Sequence, residues 1–123
     1  MKLHLSQNEG LAAFTGYGPG YVAVNGRRHE TNLAVRPTQV TPEWTLATFE
    51  TLSEADFAFI ASQDIEIALL GTGAALRFPA PALLKPLAGT GIGLEVMDTQ
   101  AACRTYNILM AEGRKVGAFL LLA

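Results

Sequence analysis

The second half of the chain alternates between apolar runs and helical segments. Three apolar runs have the length of buried strands, at residues 65–70, 92–97 and 116–122. The last run is uniformly apolar, which predicts a central strand covered on both faces. Two helical segments separate them, one between Pro79 and Gly89 that Pro86 keeps short, and one at 98–112. This order predicts β-α-β-α-β, with helices packed on a mixed sheet.

The first half of the chain is predicted to be rich in hairpins. The Asn-Gly pair at 25–26 separates two extended runs, 21–24 and 27–35, and such a pair favours a two-residue type I′ turn. The turn fixes the pairing register, which puts Arg28 and Glu30 on one face, where they can form an ion pair.

The segment between the hairpin and the first apolar strand carries weaker signals. Residues 36–44 contain two prolines and are predicted to be loop or edge strand. Residues 45–51 are compatible with strand or loop. Ser53 followed by acidic residues predicts the N-cap of a helix over 55–63. Residues 76–78 are compatible with a short strand.

Length and composition fit one domain over residues 1–123, with residues 1–10 predicted to be flexible. Half of the residues are hydrophobic, which is enough for a substantial core. The net charge of −2 argues against a nucleic-acid binder, because no excess of Lys and Arg is available to neutralise phosphates. One cysteine, no secretion signal and no membrane-length apolar run favour a cytoplasmic protein.

Candidate chemistry lies where the apolar strands end. Gly71 and Gly73 resemble half of a dinucleotide-binding fingerprint, but the required third glycine is missing. A tight turn is therefore favoured, with exposed amides beside Arg77 that could hold an anion. Asp98 follows the next strand. We favour a helix N-cap there, and the alternative is a carboxylate facing Arg77 at the mouth of a cleft.

The helix that Asp98 begins carries two further polar candidates. Arg104 and Asn107 lie three residues apart, outside the apolar stripe of the helix. A solvated face and a binding patch are equally compatible with that spacing. Cys103 lies beside the stripe with no histidine near in sequence, so we expect a buried structural thiol. The two histidines form no metal-binding pattern, and we expect no metal or cofactor.

Five segments carry a resemblance to a known family: GYGPGYVAVNG (16–26), LLGTG (69–73), LRFP (76–79), GIGLEVMDTQAACRTYNIL (91–109) and EGRKVGAFLL (112–121). They resemble a widespread family of small domains of unknown function. It includes a mitochondrial respiratory complex I assembly factor and an adipogenesis-associated protein. The missing import signal makes the chain look like a bacterial stand-alone member.

The resemblance implies a three-layer α/β fold around a mixed sheet, with no established reaction and so no catalytic residues. The positions that match the family are Gly71, Gly73, Arg77, Asp98, Thr99, Arg104 and Asn107.

The leading functional hypothesis is a non-enzymatic binding or assembly-factor-like module. Its patch would contact a protein partner or a small anionic ligand. The alternative is a small-molecule enzyme with a cleft at Arg77 and Asp98. A monomer and a homodimer that pairs through the edge of the 21–35 hairpin are both compatible with the sequence.

Overall fold

The computed structural model describes residues 10–122, so most of the segment predicted to be flexible, residues 1–9, lies outside the described residues. The strands are β1 (Phe14–Gly18), β2 (Tyr21–Val24), β3 (Arg27–His29), β4 (Leu33–Arg36), β5 (Gln39–Pro42), β6 (Ile67–Gly71), β7 (Gly93–Met97) and β8 (Val116–Leu120). The α-helices are α1 (Glu54–Ala61) and α2 (Thr99–Ala111), and 3₁₀ helices span Phe49–Thr51 and Pro81–Leu87.

The centre of the molecule is a five-stranded mixed sheet with the order β5-β4-β8-β6-β7. Strands β7, β6 and β8 run parallel, whereas β4 pairs antiparallel with both β8 and β5. Every residue of β8 is buried. The predictions of a mixed sheet and of a central last strand are therefore confirmed.

Both faces of this sheet are covered, which gives three layers. On one face α1 and the second 3₁₀ helix pack with Phe57, Ile60 and Phe119 in a shared apolar cluster. On the other face α2 and the small sheet β1-β2-β3 enclose a second cluster around Tyr106 and Phe14. The predicted α/β class is confirmed. None of the helices within residues 10–122 has the length and apolar character that a bilayer crossing requires.

The N-terminal hairpin has the predicted register. Val24 pairs with Arg27, and both turn residues have positive φ, 49° at Asn25 and 85° at Gly26, as a type I′ turn requires. Arg28 Nε lies 2.8 Å from Glu30 Oε2, so the predicted ion pair on this face is present.

The second strand of the hairpin is shorter than predicted. It ends at His29, and the residues predicted to continue it form β4 in the other sheet. Asn32 lies at the crossing. Its side-chain amide donates to the carbonyls of Thr45 and Ala47 and accepts from the backbone N–H of Leu122. These bonds fix the chain where it passes from one sheet to the other.

The structure also tests the weaker local predictions made for the segment between the hairpin and the first apolar strand and for residues 76–78. Ser53 and Asp56 form a capping box at the start of α1, as the sequence predicts. Strand β5 lies at the sheet edge and ends at Pro42. Residues 76–78 form loop and not strand.

Candidate functional site

A cleft of about 340 Å³ opens at the carboxyl ends of β6 and β8. Its walls are the β1–β2 turn, the loop that follows β6, the first turn of α2 and the residues after β8. Three of the predicted site residues line it: Gly73, Arg77 and Thr99. Strand ends that meet a helix N-terminus are a common place for sites in α/β folds.

A larger groove of about 500 Å³ lies between the β2–β3 hairpin and β5. Its lining includes His29, whose pKa is lowered by burial and by the nearby Arg27 charge. None of the predicted site residues lines this groove, so the strand-end cleft is the better candidate site.

Thr99 ties the loop after β6 to the start of α2. Its hydroxyl accepts a hydrogen bond from Gly73 N at 2.8 Å and donates to the carbonyl of Leu121 at 2.8 Å. Its own N–H donates to the Gly73 carbonyl at 2.9 Å. The Gly73 amide, which the sequence suggested as an anion donor, is therefore already used inside the fold.

Gly71 is required by the close approach of α2 to the end of β6. A Cβ built at this position would lie 2.8 Å from Leu120 Cδ2 and 3.0 Å from both Cα and Oγ1 of Thr99. Only a residue without a side chain lets the first turn of α2 pack this closely on the strand. Gly73 has a φ of 92°, a conformation that favours glycine.

Asp98 caps α2. Its Oδ1 accepts from Ala101 N at 2.9 Å, while its backbone is extended, with φ −66° and ψ 161°. This carboxylate does not line the cleft. The favoured interpretation from the sequence, a helix N-cap, agrees with this geometry.

Arg77 pairs with Glu50 and not with Asp98, the partner that the alternative interpretation gave it. Its Nη1 lies 2.6 Å from Glu50 Oε2, and its guanidinium lies 4.5 Å from the centre of the Phe49 ring. Its Nη2 donates to the Thr72 carbonyl at 3.3 Å. The alternative in which Asp98 faces Arg77 does not match this geometry, because the loop directs the guanidinium toward residues 49–50.

Sequence reasoning missed Glu50, because residues 45–51 carry no decisive local pattern. A hydrogen bond from its own backbone N–H lowers the pKa of the exposed Glu50 carboxyl, and the nearby Arg77 charge lowers it further. The Arg77 guanidinium is therefore paired with a carboxylate from a distant part of the chain.

Arg104 and Asn107 contact β1 and lie apart from the cleft. Asn107 hydrogen-bonds both backbone groups of Phe14, whereas Arg104 Nη1 lies 3.3 Å from the exposed Tyr17 hydroxyl. That hydrogen bond raises the pKa of Arg104. The seven predicted positions therefore fall into two groups. Five lie in or beneath the cleft and at the start of α2, and the other two lie at the interface between α2 and β1.

The buried thiol of Cys103 faces the core, and burial raises its pKa to about 12. A thiol in this state is a poor nucleophile. Within residues 10–122, no group of three or more His, Cys, Asp and Glu side chains is arranged to hold a metal ion.

The loop beside the cleft exposes two large apolar side chains. Leu76 is 51% exposed and Phe78 is 72% exposed, on either side of Arg77. Thr72 holds this loop. Its buried hydroxyl donates to the Ala75 carbonyl at 2.6 Å and accepts from Arg77 N at 3.2 Å. The two apolar side chains are thus presented by a hydrogen-bonded loop.

The sequence pattern of a family described as "Protein of unknown function (DUF498/DUF598)" matches residues 14–121. The chain belongs to this family. The solution structure of a Bordetella pertussis protein described as a Mth938-like domain is 33% identical in sequence and superposes with a TM-score of 0.78. The match covers 92% of this chain and 87% of that one. The fold of this family member is therefore Mth938-like.

Two relatives are each 36% identical to the chain. One is the bovine "NADH dehydrogenase [ubiquinone] 1 alpha subcomplex assembly factor 3", matched over 83% of this chain and 55% of its own length. The other is an uncharacterised protein of Rhodobacter capsulatus, matched over 91% and 86%. The chain thus spans about half the length of the bovine protein. A more distant relative, at 26% identity over 88% of this chain and 89% of its own, is the "13 kDa major membrane protein" of Francisella tularensis.

The resemblance seen in the sequence is confirmed for the family and for its complex I assembly-factor members.

Proposed function

We propose that the chain is a non-enzymatic binding module of the assembly-factor type, and that it contacts a protein partner through the loop at 74–80. The observation that carries the proposal is the pair Leu76 and Phe78, which a fixed loop holds in solvent beside the cleft. The name of the bovine relative supports the same class of function.

The loop has two properties of a protein-docking surface. Exposed large apolar side chains that flank a charged group commonly mark interaction sites. The hydrogen bonds from Thr72 and the contact of Arg77 with Phe49 restrict the loop before a partner binds. Binding to an ordered loop loses less conformational entropy than binding to a flexible one.

The contacts favour a protein over a small anion as the occupant. An anion at Arg77 would have to compete with the Glu50 carboxylate, which already lies 2.6 Å from the guanidinium. The Gly73 amide is occupied by Thr99 as well. A protein partner can instead use the apolar side chains and leave the ion pair in place.

The alternative of an enzyme with a cleft at Arg77 and Asp98 has no contact in its favour. Asp98 is engaged with the first turn of α2, and Arg77 is paired with Glu50. The two side chains therefore do not form the polar pair on which that alternative depended.

Affinity capture from the native host tests the proposed surface. The tagged chain is compared with the double variant Leu76→Ser, Phe78→Ser. The matched control is Ile108→Ser, which removes a side chain that is 60% exposed near the other end of α2. We expect at least one reproducible partner that the double variant loses and that the control retains. Recovery of no reproducible partner, or equal recovery by all three chains, would count against the proposal.

A cytoplasmic location is part of the proposal, supported by a single cysteine that is buried and reduced. Fractionation of the native host tests it, and recovery with the membrane pellet after a high-salt wash would contradict it. A monomeric state is proposed alongside it, and sedimentation equilibrium distinguishes a monomer from the alternative homodimer.

A further inference from the structure

Strand β7 forms one edge of the five-stranded sheet, next to β6. Gly93 N donates to the Glu66 carbonyl at 2.9 Å, and the Met97 carbonyl accepts from Thr72 N at 2.9 Å. The backbone groups at both ends of β7 therefore face β6. Because backbone direction alternates along a strand, the middle residue, Glu95, also directs its N–H and C=O toward β6.

The same alternation directs the N–H and C=O of Leu94 and Val96 outward from the sheet. No group within residues 10–122 hydrogen-bonds to these four backbone groups. The side chains of Leu94 and Val96 are half-buried on the α1 face, so they extend the apolar surface to the rim. The opposite edge differs, because β5 ends in Pro42, which has no N–H to offer.

Glu95 lies between these two residues and is exposed. None of the ion pairs formed among the described residues includes it. An incoming antiparallel strand that bonds to Leu94 and Val96 would place one of its residues opposite Glu95 in a non-hydrogen-bonded pair. The two Cα atoms of such a pair are about 4.5 Å apart, so the facing side chains interact closely.

The position of Glu95 disfavours a second copy of the chain as the occupant. In an antiparallel pairing of two copies through both outward residues of β7, Leu94 of each copy pairs with Val96 of the other. Glu95 then faces Glu95 of the second copy. Facing like charges destabilise a strand pair. A register shifted by two residues in one direction would need the N–H of Ile92, which already donates to Thr90 Oγ1 at 3.1 Å. The opposite shift would need the carbonyl of Asp98, which already accepts from Ala102 N at 3.0 Å.

We propose that the β7 edge binds an extended segment of a different protein, whose sequence places a lysine or arginine between two apolar residues. The apolar residues pair with Leu94 and Val96, and the cation faces Glu95. This is strand addition to a sheet edge, in which the backbone supplies affinity and the facing side chains supply selectivity. The proposal concerns a different surface from the loop at 74–80 and does not depend on it.

Two short peptides serve as probes. One has the sequence Thr-Val-Thr-Val-Lys-Val-Thr-Val-Thr, and its control has glutamate in place of the central lysine. Titration of the isotope-labelled chain is followed by amide chemical shifts. We expect the lysine peptide to shift the amides of Leu94 and Val96, and the glutamate peptide to bind about tenfold more weakly.

The variant Glu95→Lys provides the decisive control, because the changed side chain is exposed and the fold does not depend on it. We expect this variant to prefer the glutamate peptide. A second variant, Val96→Pro, removes one outward N–H and should bind neither peptide. Equal binding of both peptides without reversal in Glu95→Lys, shifts confined to residues outside β7, or dimerisation of the wild-type chain through β7 would each overturn the proposal.

Discussion

Asn107 supplies Phe14 with both backbone hydrogen bonds that a neighbouring strand would otherwise make. Its Oδ1 accepts from Phe14 N and its Nδ2 donates to the Phe14 carbonyl, each at 2.8 Å. Phe14 begins β1, so α2 takes the place of a further strand along this part of the small sheet. A residue that the sequence offered as a binding patch therefore joins the small sheet to the rest of the molecule.

Replacing Asn107 by alanine should lower the free energy of unfolding by about 2–3 kcal/mol, because two part-buried backbone groups lose their partners. Urea denaturation measures the change. The control is Arg104→Ala one turn earlier, whose exposed side chain should change stability by no more than about 0.5 kcal/mol. Equal effects of the two substitutions would show that the Asn107 bonds contribute little.

Gly71→Ala should destabilise the fold by about 1–3 kcal/mol, because the added methyl overlaps the α2 backbone and Leu120. Gly16→Ala is the matched control, since its Cβ would meet only Ala23 Cβ at 3.8 Å, an ordinary contact. Thermal unfolding of the two variants compares the effects. A Gly71→Ala protein as stable as the control would mean that α2 can move away from β6 without loss.

Thr72→Val should release the loop at 74–80, because the buried hydroxyl that holds it is replaced by a methyl group of similar size. The expected loss is about 1–3 kcal/mol, together with faster hydrogen exchange at the Arg77 amide. Thr72→Ser keeps the hydroxyl and should preserve slow exchange. If both variants exchange like the wild type, other contacts hold the loop.

The buried thiol predicts a specific loss of stability in alkali. The ordinary pKa of a thiol is near 9.0, and burial raises the pKa of Cys103 to about 12 in the folded chain. The pKa of this thiol is higher in the folded chain than in the unfolded chain. Its contribution to folding stability is therefore complete below pH 9 and falls as the pH rises from 9 toward 12.

The stability advantage of the wild type over Cys103→Ala should therefore shrink by about 1.4 kcal/mol per pH unit above pH 9. Denaturation of both proteins across this range tests it. The alkaline titration of Tyr106 is common to both chains and cancels in the comparison. An advantage that stays constant with pH would contradict the raised pKa.

The features that could be predicted from sequence are those set by local rules. The Asn-Gly turn specifies its own geometry through two residues with positive φ, and the pairing register follows from it. The N-caps at Ser53 and Asp98 likewise depend on side chains that bond within their own first turn. The uniformly apolar run at β8 indicated burial on both faces without knowledge of its neighbours.

The features that escaped prediction depend on residues far apart in the chain. Arg77 and Glu50 are 27 residues apart, and Asn107 and Phe14 are 93 apart. Spacing rules cover neighbours within a helix or a hairpin and do not reach such pairs. The end of β3 at His29 escaped for the same reason, because Asn32 redirects the chain there through hydrogen bonds to three distant backbone groups.

The central position of β8 has a consequence for how the chain folds. Among the described strands, the β4–β5 hairpin and the β6–β7 pair are joined within the sheet only through β8, which follows all four in the chain and is therefore synthesised after them. Until it arrives, β4 and β6 each present an unpaired apolar edge that could associate with other nascent chains. Insertion of β8 removes both edges in one step, so completion of the sheet and protection from aggregation are a single late event.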